Sequence, residues 1–508
     1  MKLTPGKLTL TQLNEFYFGD AQVSLDDSSW QDIAKSRSVV DQLIERGDTV
    51  YGMNTGFGLL ANKKISKDDL AQLQVNLVRS HSAGTGPAMN PTVVRLIMLL
   101  KLASISRGYS GVRRDVVQGL LNCLNQKLYP YIPERGSVGA SGDLAPLAHM
   151  SLALIGEGEF LQGNDSVAAA DCLKNHGLQP LQLQAKEGLA LLNGTQASTA
   201  LALSALFDAQ RSFRAAIIAG ALSVDAAKGS DTPFDARIHA IRNHETQILC
   251  AKLYRELLEG SKIRESHREC TRVQDPYSLR CQPQVMGACL ESLRHAQSVL
   301  VKEANAVSDN PLVFADDVSM LSGGNFHAEP VAIVADQIAI ALAEVGSLSE
   351  RRVALLIDKH LSNLPAFLTE QGGLHSGFMI PQVTAAALVS ENKHLATPCS
   401  TDSLPTSANQ EDHVSMATYA ARRLSQMVEN LNSILAIELL SACQGIDFHA
   451  PLQTSGRLTI VHQHVRQRAD HYHDDRTFHR EIKEVSSLIA GDQFEQVLPC
   501  DELFANTP

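Results

Sequence analysis

The sequence predicts a mainly α protein: a long antiparallel helix bundle with a smaller, loop-rich N-terminal lobe. Three observations carry this. Strand signals are sparse, with 5% aromatic residues and a predominance of alanine and leucine. Several long stretches repeat apolar residues at helical spacing. Those stretches have no internal proline, whereas the first half is more often broken by glycine and proline.

The elements follow in order. YGMNTGFG (51–58) and SAGTGPAMNP (82–91) interrupt the first half. GSVGASGDLAPLAH (136–149) is nearly bare backbone before an apolar run, which suits a tight turn entering a helix. Stretch 196–228 reads as a long alanine-rich helix, and KGSDTPFDARIH (228–239) as a connector. Stretch 283–307 is a second helix. SDNPLVF (308–314) is a connector, because Pro311 disfavours helix at Asn310. In 331–357, Val334, Ile338, Leu342 and Val345 share one face. In 413–443, Leu424, Val428, Leu431, Leu435 and Leu439 do the same, with Met427 and Ile434 beside them. Helices this long need each other's apolar faces, hence the bundle. The division expected is 1–195 for the lobe and 196–508 for the bundle.

The 508 residues suffice for a large core. A net charge of −11 argues against a nucleic-acid partner, which favours a basic face. The nine cysteines are odd in number and form no CxxC, which disfavours a disulfide scaffold and suits a reducing compartment. MKLTPGKLTLTQLNEFYFGD at the N-terminus has no continuous apolar region, so no secretory signal is read. No uncharged apolar stretch is long enough to span a bilayer. A cytoplasmic protein without membrane or nucleic-acid partners is expected.

Several enzyme motifs fail to complete. Gly139-Ala140-Ser141-Gly142-Asp143 lacks the last glycine of a nucleophile elbow and the strand before it. His244-Glu245 begins an HExxH that ends in Ile248. His462, His464, His471 and His473 match no defined ligand spacing, so a solvated polar segment is read there and no metal is assigned. Ala140-Ser141-Gly142 offers different chemistry. In a tight turn the Gly142 nitrogen can reach the Ala140 carbonyl carbon and close a five-membered ring. Loss of one water there, and of the Ser141 hydroxyl as a second, leaves an electrophilic methylene. On these three residues alone, an ordinary turn is the alternative.

GSVGASGDLAPLAHM resembles the signature of the aromatic amino acid ammonia-lyases. YGMNTGFG, KEGLALLNGTQ (186–196), QDPYSLRCQPQVMGA (274–288), GGNFHAEP (323–330) and SANQEDHVSM (407–416) follow in the family's order. The resemblance implies a 4-methylidene-imidazol-5-one group formed autocatalytically from Ala140, Ser141 and Gly142, with no external cofactor. It implies that Asp143 assists ring formation and that Tyr51 is the base. A phenol has a pKa of about 10, so that role needs a stabilised phenolate. Arg280 would clamp the substrate carboxylate bidentately, with Asn310 assisting. Asn193, Gln274 and Tyr277 would line the prosthetic group and the amino group, and Phe326 would pack near the methylidene.

Ser80-His81 and Gln410-Glu411 resemble the histidine-specific members. An imidazole nitrogen can bond His81, and Glu411 can accept from an imidazole N–H. The implied reaction is deamination of L-histidine to trans-urocanate and ammonia, the first step of histidine breakdown, in a homotetramer with shared active sites. The alternatives are a tyrosine or phenylalanine lyase, an aminomutase, or a non-catalytic helical assembly. Glu134-Arg135, Asn363 and His375 stand out from otherwise family-like runs.

Overall fold

The computed structural model describes residues 1–48, 50, 53–55, 65–163, 165–268 and 273–504. Helix dominates, and the longest helices are Gln196–Ala226, Gln282–Ala304, Glu329–Ile357 and Ala417–Asp447. They fall where the periodicity placed them, with one difference. The last begins at Ala417 rather than 413, because Met416 has φ +57° and the chain before it is loop. Among the described residues, strand is confined to four two-stranded ribbons.

Two compact units are interleaved in sequence. The first comprises 1–204, 297–336 and 398–422; the second comprises 205–296, 337–397 and 423–508. A single cut at 195/196 therefore divides the chain differently, for a packing reason. The ribbon Leu312–Phe314/Ser319–Leu321 belongs to the first unit, where Val313 fills a core with Val39, Val40 and Leu43.

At the centre of the first unit lies helix Pro91–Ile105, buried from Val93 to Ile105. Asn90 caps it, accepting from the Thr92 amide, and Pro91 fits the first turn, where its missing N–H costs nothing.

In the second unit, buried Glu438 joins three helices. It accepts from Ser223, from Ser349 and from the guanidinium of Arg352. Gln282, at the start of its helix, donates to the Gly220 carbonyl of another.

Glu329–Ile357 is long and apolar enough to cross a membrane, but 67% of its most apolar window is buried inside the protein. Arg352 on this helix is paired with Glu438.

Candidate functional site

The turn 137–143 is fixed from several sides within the first unit. The Gly139 carbonyl accepts from the Ser415 hydroxyl at 2.9 Å and from the Ala328 amide at 3.3 Å. The Met416 amide donates to the Val138 carbonyl at 2.8 Å. Two other segments, 323–329 and 411–418, are thereby drawn to the turn.

Gly142 has φ +76°, and a Cβ there would lie 2.4 Å from the Gly194 carbonyl oxygen. Only glycine fits, both for its dihedral and for the close approach. The Asp143 amide donates to the same carbonyl at 2.7 Å. The Asn193 amide group donates to the Ser141 carbonyl at 2.7 Å, while its own Oδ1 is buried without a hydrogen-bond partner.

Asp143 is fully buried, and its carboxylate is saturated. Oδ1 accepts from Ser137 (3.1 Å) and Thr418 (2.7 Å). Oδ2 accepts from the Ser198 amide (2.7 Å) and hydroxyl (2.8 Å). Ser137, Thr418 and Ser198 were not singled out from sequence; their only signal was proximity to the matched runs.

The Ser141 hydroxyl donates to Glu411 Oε1. Thr406 and Ser407 donate to the other oxygen, at 2.6 and 2.9 Å. Burial raises the Glu411 pKa, but these three hydrogen bonds and nearby His81 outweigh it, so the carboxyl titrates below its ordinary range. Glu411 is held on a hairpin pinched by reciprocal backbone bonds between Thr406 and Glu411. Its tip has three successive left-handed residues, Ser407, Ala408 and Asn409, at φ 50°, 54° and 65°. Such residues persist only where their surroundings enforce them, and they concentrate at functional sites.

His81 ends helix Leu70–His81. Its Nδ1 lies 2.9 Å from the Leu77 carbonyl, so Nδ1–H donates there and Nε2 is left as an acceptor. Burial lowers its pKa more than Leu77 and Glu411 raise it, so the ring is neutral at pH 7.

Below the turn, Lys101 is buried and donates to the carbonyls of Asn193 (2.7 Å) and Ala190 (3.2 Å). Burial depresses its pKa to about 7, against the pull of Asp309. A lysine inside the apolar run MLLKLASI was a signal passed over in the sequence. Between pH 7 and about 10.4, the unfolded chain holds a proton that folded Lys101 has released. Lys101 therefore makes stability rise with pH in that window. Urea unfolding at pH 7 and pH 9.5 should show this rise diminished in Lys101→Met.

Other site candidates are placed less directly. Asn310 spends both ends of its side chain on its own loop, donating to Ser322 and accepting from the Gly323 amide. Phe326 is half-buried beside Ala328. Gln410 is exposed, on the hairpin that carries Glu411. Gln274, Tyr277 and Arg280 belong to the second unit, where the Arg280 guanidinium stacks 4.6 Å over the Tyr277 ring. The Arg280 Nε is buried without a partner, and Tyr277 is 69% exposed. Tyr51 lies outside the described residues.

The first unit thus presents a glycine-constrained Ala-Ser-Gly turn, a saturated buried aspartate and an ionised glutamate on the Ser141 hydroxyl. The family model of aromatic amino acid lyases matches residues 8–467. The chain belongs to the aromatic amino acid lyase family. This lyase is 56% identical over 500 residues to the histidine ammonia-lyase of Vibrio cholerae, with 98% of each chain covered. The solved histidine ammonia-lyase of Trypanosoma cruzi matches it with a TM-score of 0.92 at 39% identity, covering 100% of this chain and 99% of that one. The tyrosine aminomutase of Streptomyces globisporus matches with a TM-score of 0.92 at 36% identity, covering 97% of both chains.

Proposed function

We propose that this lyase is a carbon–nitrogen lyase that deaminates L-histidine to trans-urocanate and ammonia, the entry to histidine breakdown. The observation that carries the substrate is Glu411, ionised on the Ser141 hydroxyl, with His81 near enough to act on its charge. Both offer acceptors: His81 through Nε2, and Glu411 through an ionised carboxylate. A protonated imidazole has two N–H donors and matches them. A hydrocarbon ring would offer neither acceptor a donor. High identity to a histidine ammonia-lyase supports the same substrate.

The residues fit the family's methylidene-imidazolone. Gly142 supplies an unhindered amide nitrogen, Gly194 forbids any side chain beside it, and Asn193 holds the Ser141 carbonyl. Formed from Ala140, Ser141 and Gly142, that group supplies the electrophile that draws electrons from the substrate. Asp143 holds the turn in place for closure. Tyr51 takes the β-proton, and Arg280 clamps the carboxylate with help from Asn310. Asn193, Gln274 and Tyr277 surround the amino group, while Phe326 and Gln410 complete the walls.

We further propose a cytoplasmic homotetramer with shared active sites. The cytoplasm is supported by eight free thiols among the described residues. Met379, Ile380 and Val383, exposed together on helix Met379–Leu395, support an assembly that covers them. Light scattering should give four times the 55.0 kDa chain mass.

The deciding assay follows near-ultraviolet absorbance with L-histidine, L-tyrosine and L-phenylalanine, with no added cofactor. A rise with histidine alone is expected; a rise with tyrosine or phenylalanine overturns the substrate. Glu411→Gln should lower kcat/KM for histidine by about 100-fold, and unchanged kinetics would make Glu411 structural.

A further inference from the structure

We propose that His327, Glu329 and His413 form a binding site for one divalent transition-metal ion, of the class of Zn²⁺. All three lie in the first unit, and their donor atoms sit within 4.8 Å of one another. His327 Nδ1 and His413 Nε2 each stand 3.9 Å from the same atom, Glu329 Oε2. The two rings stack at 11° with centroids 5.7 Å apart.

Glu329 Oε2 is buried and has no hydrogen-bond partner. A buried carboxylate oxygen left unpaired is costly, and 3.9 Å is too long for either imidazole to satisfy it directly. One cation between the three groups resolves this. His327 is already in the form a ligand needs. Its Nε2 lies 3.2 Å from the His413 carbonyl, so Nε2–H donates there and Nδ1 keeps its lone pair. A backbone carbonyl fixing the tautomer in this way is the usual support of a ligating histidine.

Two imidazoles and a carboxylate suit Zn²⁺ and its neighbours rather than Mg²⁺ or Ca²⁺. Bonds of about 2.0–2.2 Å place ligand atoms roughly 3.4 Å apart. The present spacing closes by rotation of His413, whose side chain is 66% exposed. That exposed edge is the entry path and leaves a coordination position for water. The ion would join segment 323–329 to segment 406–416. Both touch the 137–143 turn, through Ala328, Ser415 and Met416. The site would therefore clamp the neighbours of the reactive turn, independently of the substrate.

The test uses the full chain, stripped with a chelator and titrated with Co²⁺ as a coloured substitute for Zn²⁺. Equilibrium dialysis and visible absorption report binding, and Tm reports its effect. Expected are one ion per chain, no thiolate-to-cobalt charge-transfer band and a rise in Tm. Affinity should fall at least ~10-fold in both Glu329→Gln and His413→Gln. His413 is exposed, so its variant keeps the fold even if Glu329→Gln does not; circular dichroism checks this. No saturable binding, undiminished affinity in His413→Gln, or a thiolate band would each overturn the proposal.

Discussion

Ser141→Ala should abolish urocanate formation while leaving the protein folded. The Ser141 hydroxyl has one partner, Glu411, in a half-buried setting. Relative to the uncyclised chain, losing that bond costs about 1 kcal/mol, because Glu411 keeps Thr406 and Ser407 as donors. Circular dichroism should be unchanged and Tm should move by only a few degrees. Activity should fall by ~10³-fold or more, since no other side chain supplies an electrophile. Intact mass gives an independent readout. The active chain should be lighter than its sequence by two waters, and the variant should not show this loss. A variant with normal turnover, or an active wild-type chain of full sequence mass, would refute the mechanism.

Asp143→Ala should fail twice, in stability and in maturation. Its carboxylate accepts four hydrogen bonds at a fully buried position, one of them from the Ser198 backbone. Removing it strands those donors, a loss of about 3–5 kcal/mol and on the order of 10 °C in Tm. Without that anchor, Ser137 and Thr418 lose their tie to the start of helix Leu144–Leu154, so the mass should remain that of the uncyclised sequence. Asp143→Asn separates the two effects. It keeps the volume but puts a donor where two donors already point. It should fold better than the alanine variant and still cyclise poorly. Complete cyclisation in Asp143→Asn would reduce Asp143 to a structural residue.

The helices were legible because alanine and leucine recur at helical spacing over long stretches. The turn was legible because Gly142 stands where no side chain fits. The helix start at Ala417 was missed because Met416 takes a left-handed dihedral that no local rule assigns to methionine. His81 and Glu411 were named from matched motifs; their electrostatic pairing needed the fold, since 330 positions separate them. Lys101 and Thr418 were missed because their roles depend on partners far along the chain.

The anchoring of Asp143 sets an order of events during synthesis. Two of its partners are Ser198, 55 residues on, and Thr418, 275 residues on. A ribosome delivers the Ala-Ser-Gly segment long before Thr418 exists. The turn therefore acquires its full support only when most of the chain has been made and folded. Truncated or misfolded copies would lack that support and remain chemically inert, so a methylidene-imidazolone formed at this turn would double as a mark of a finished molecule.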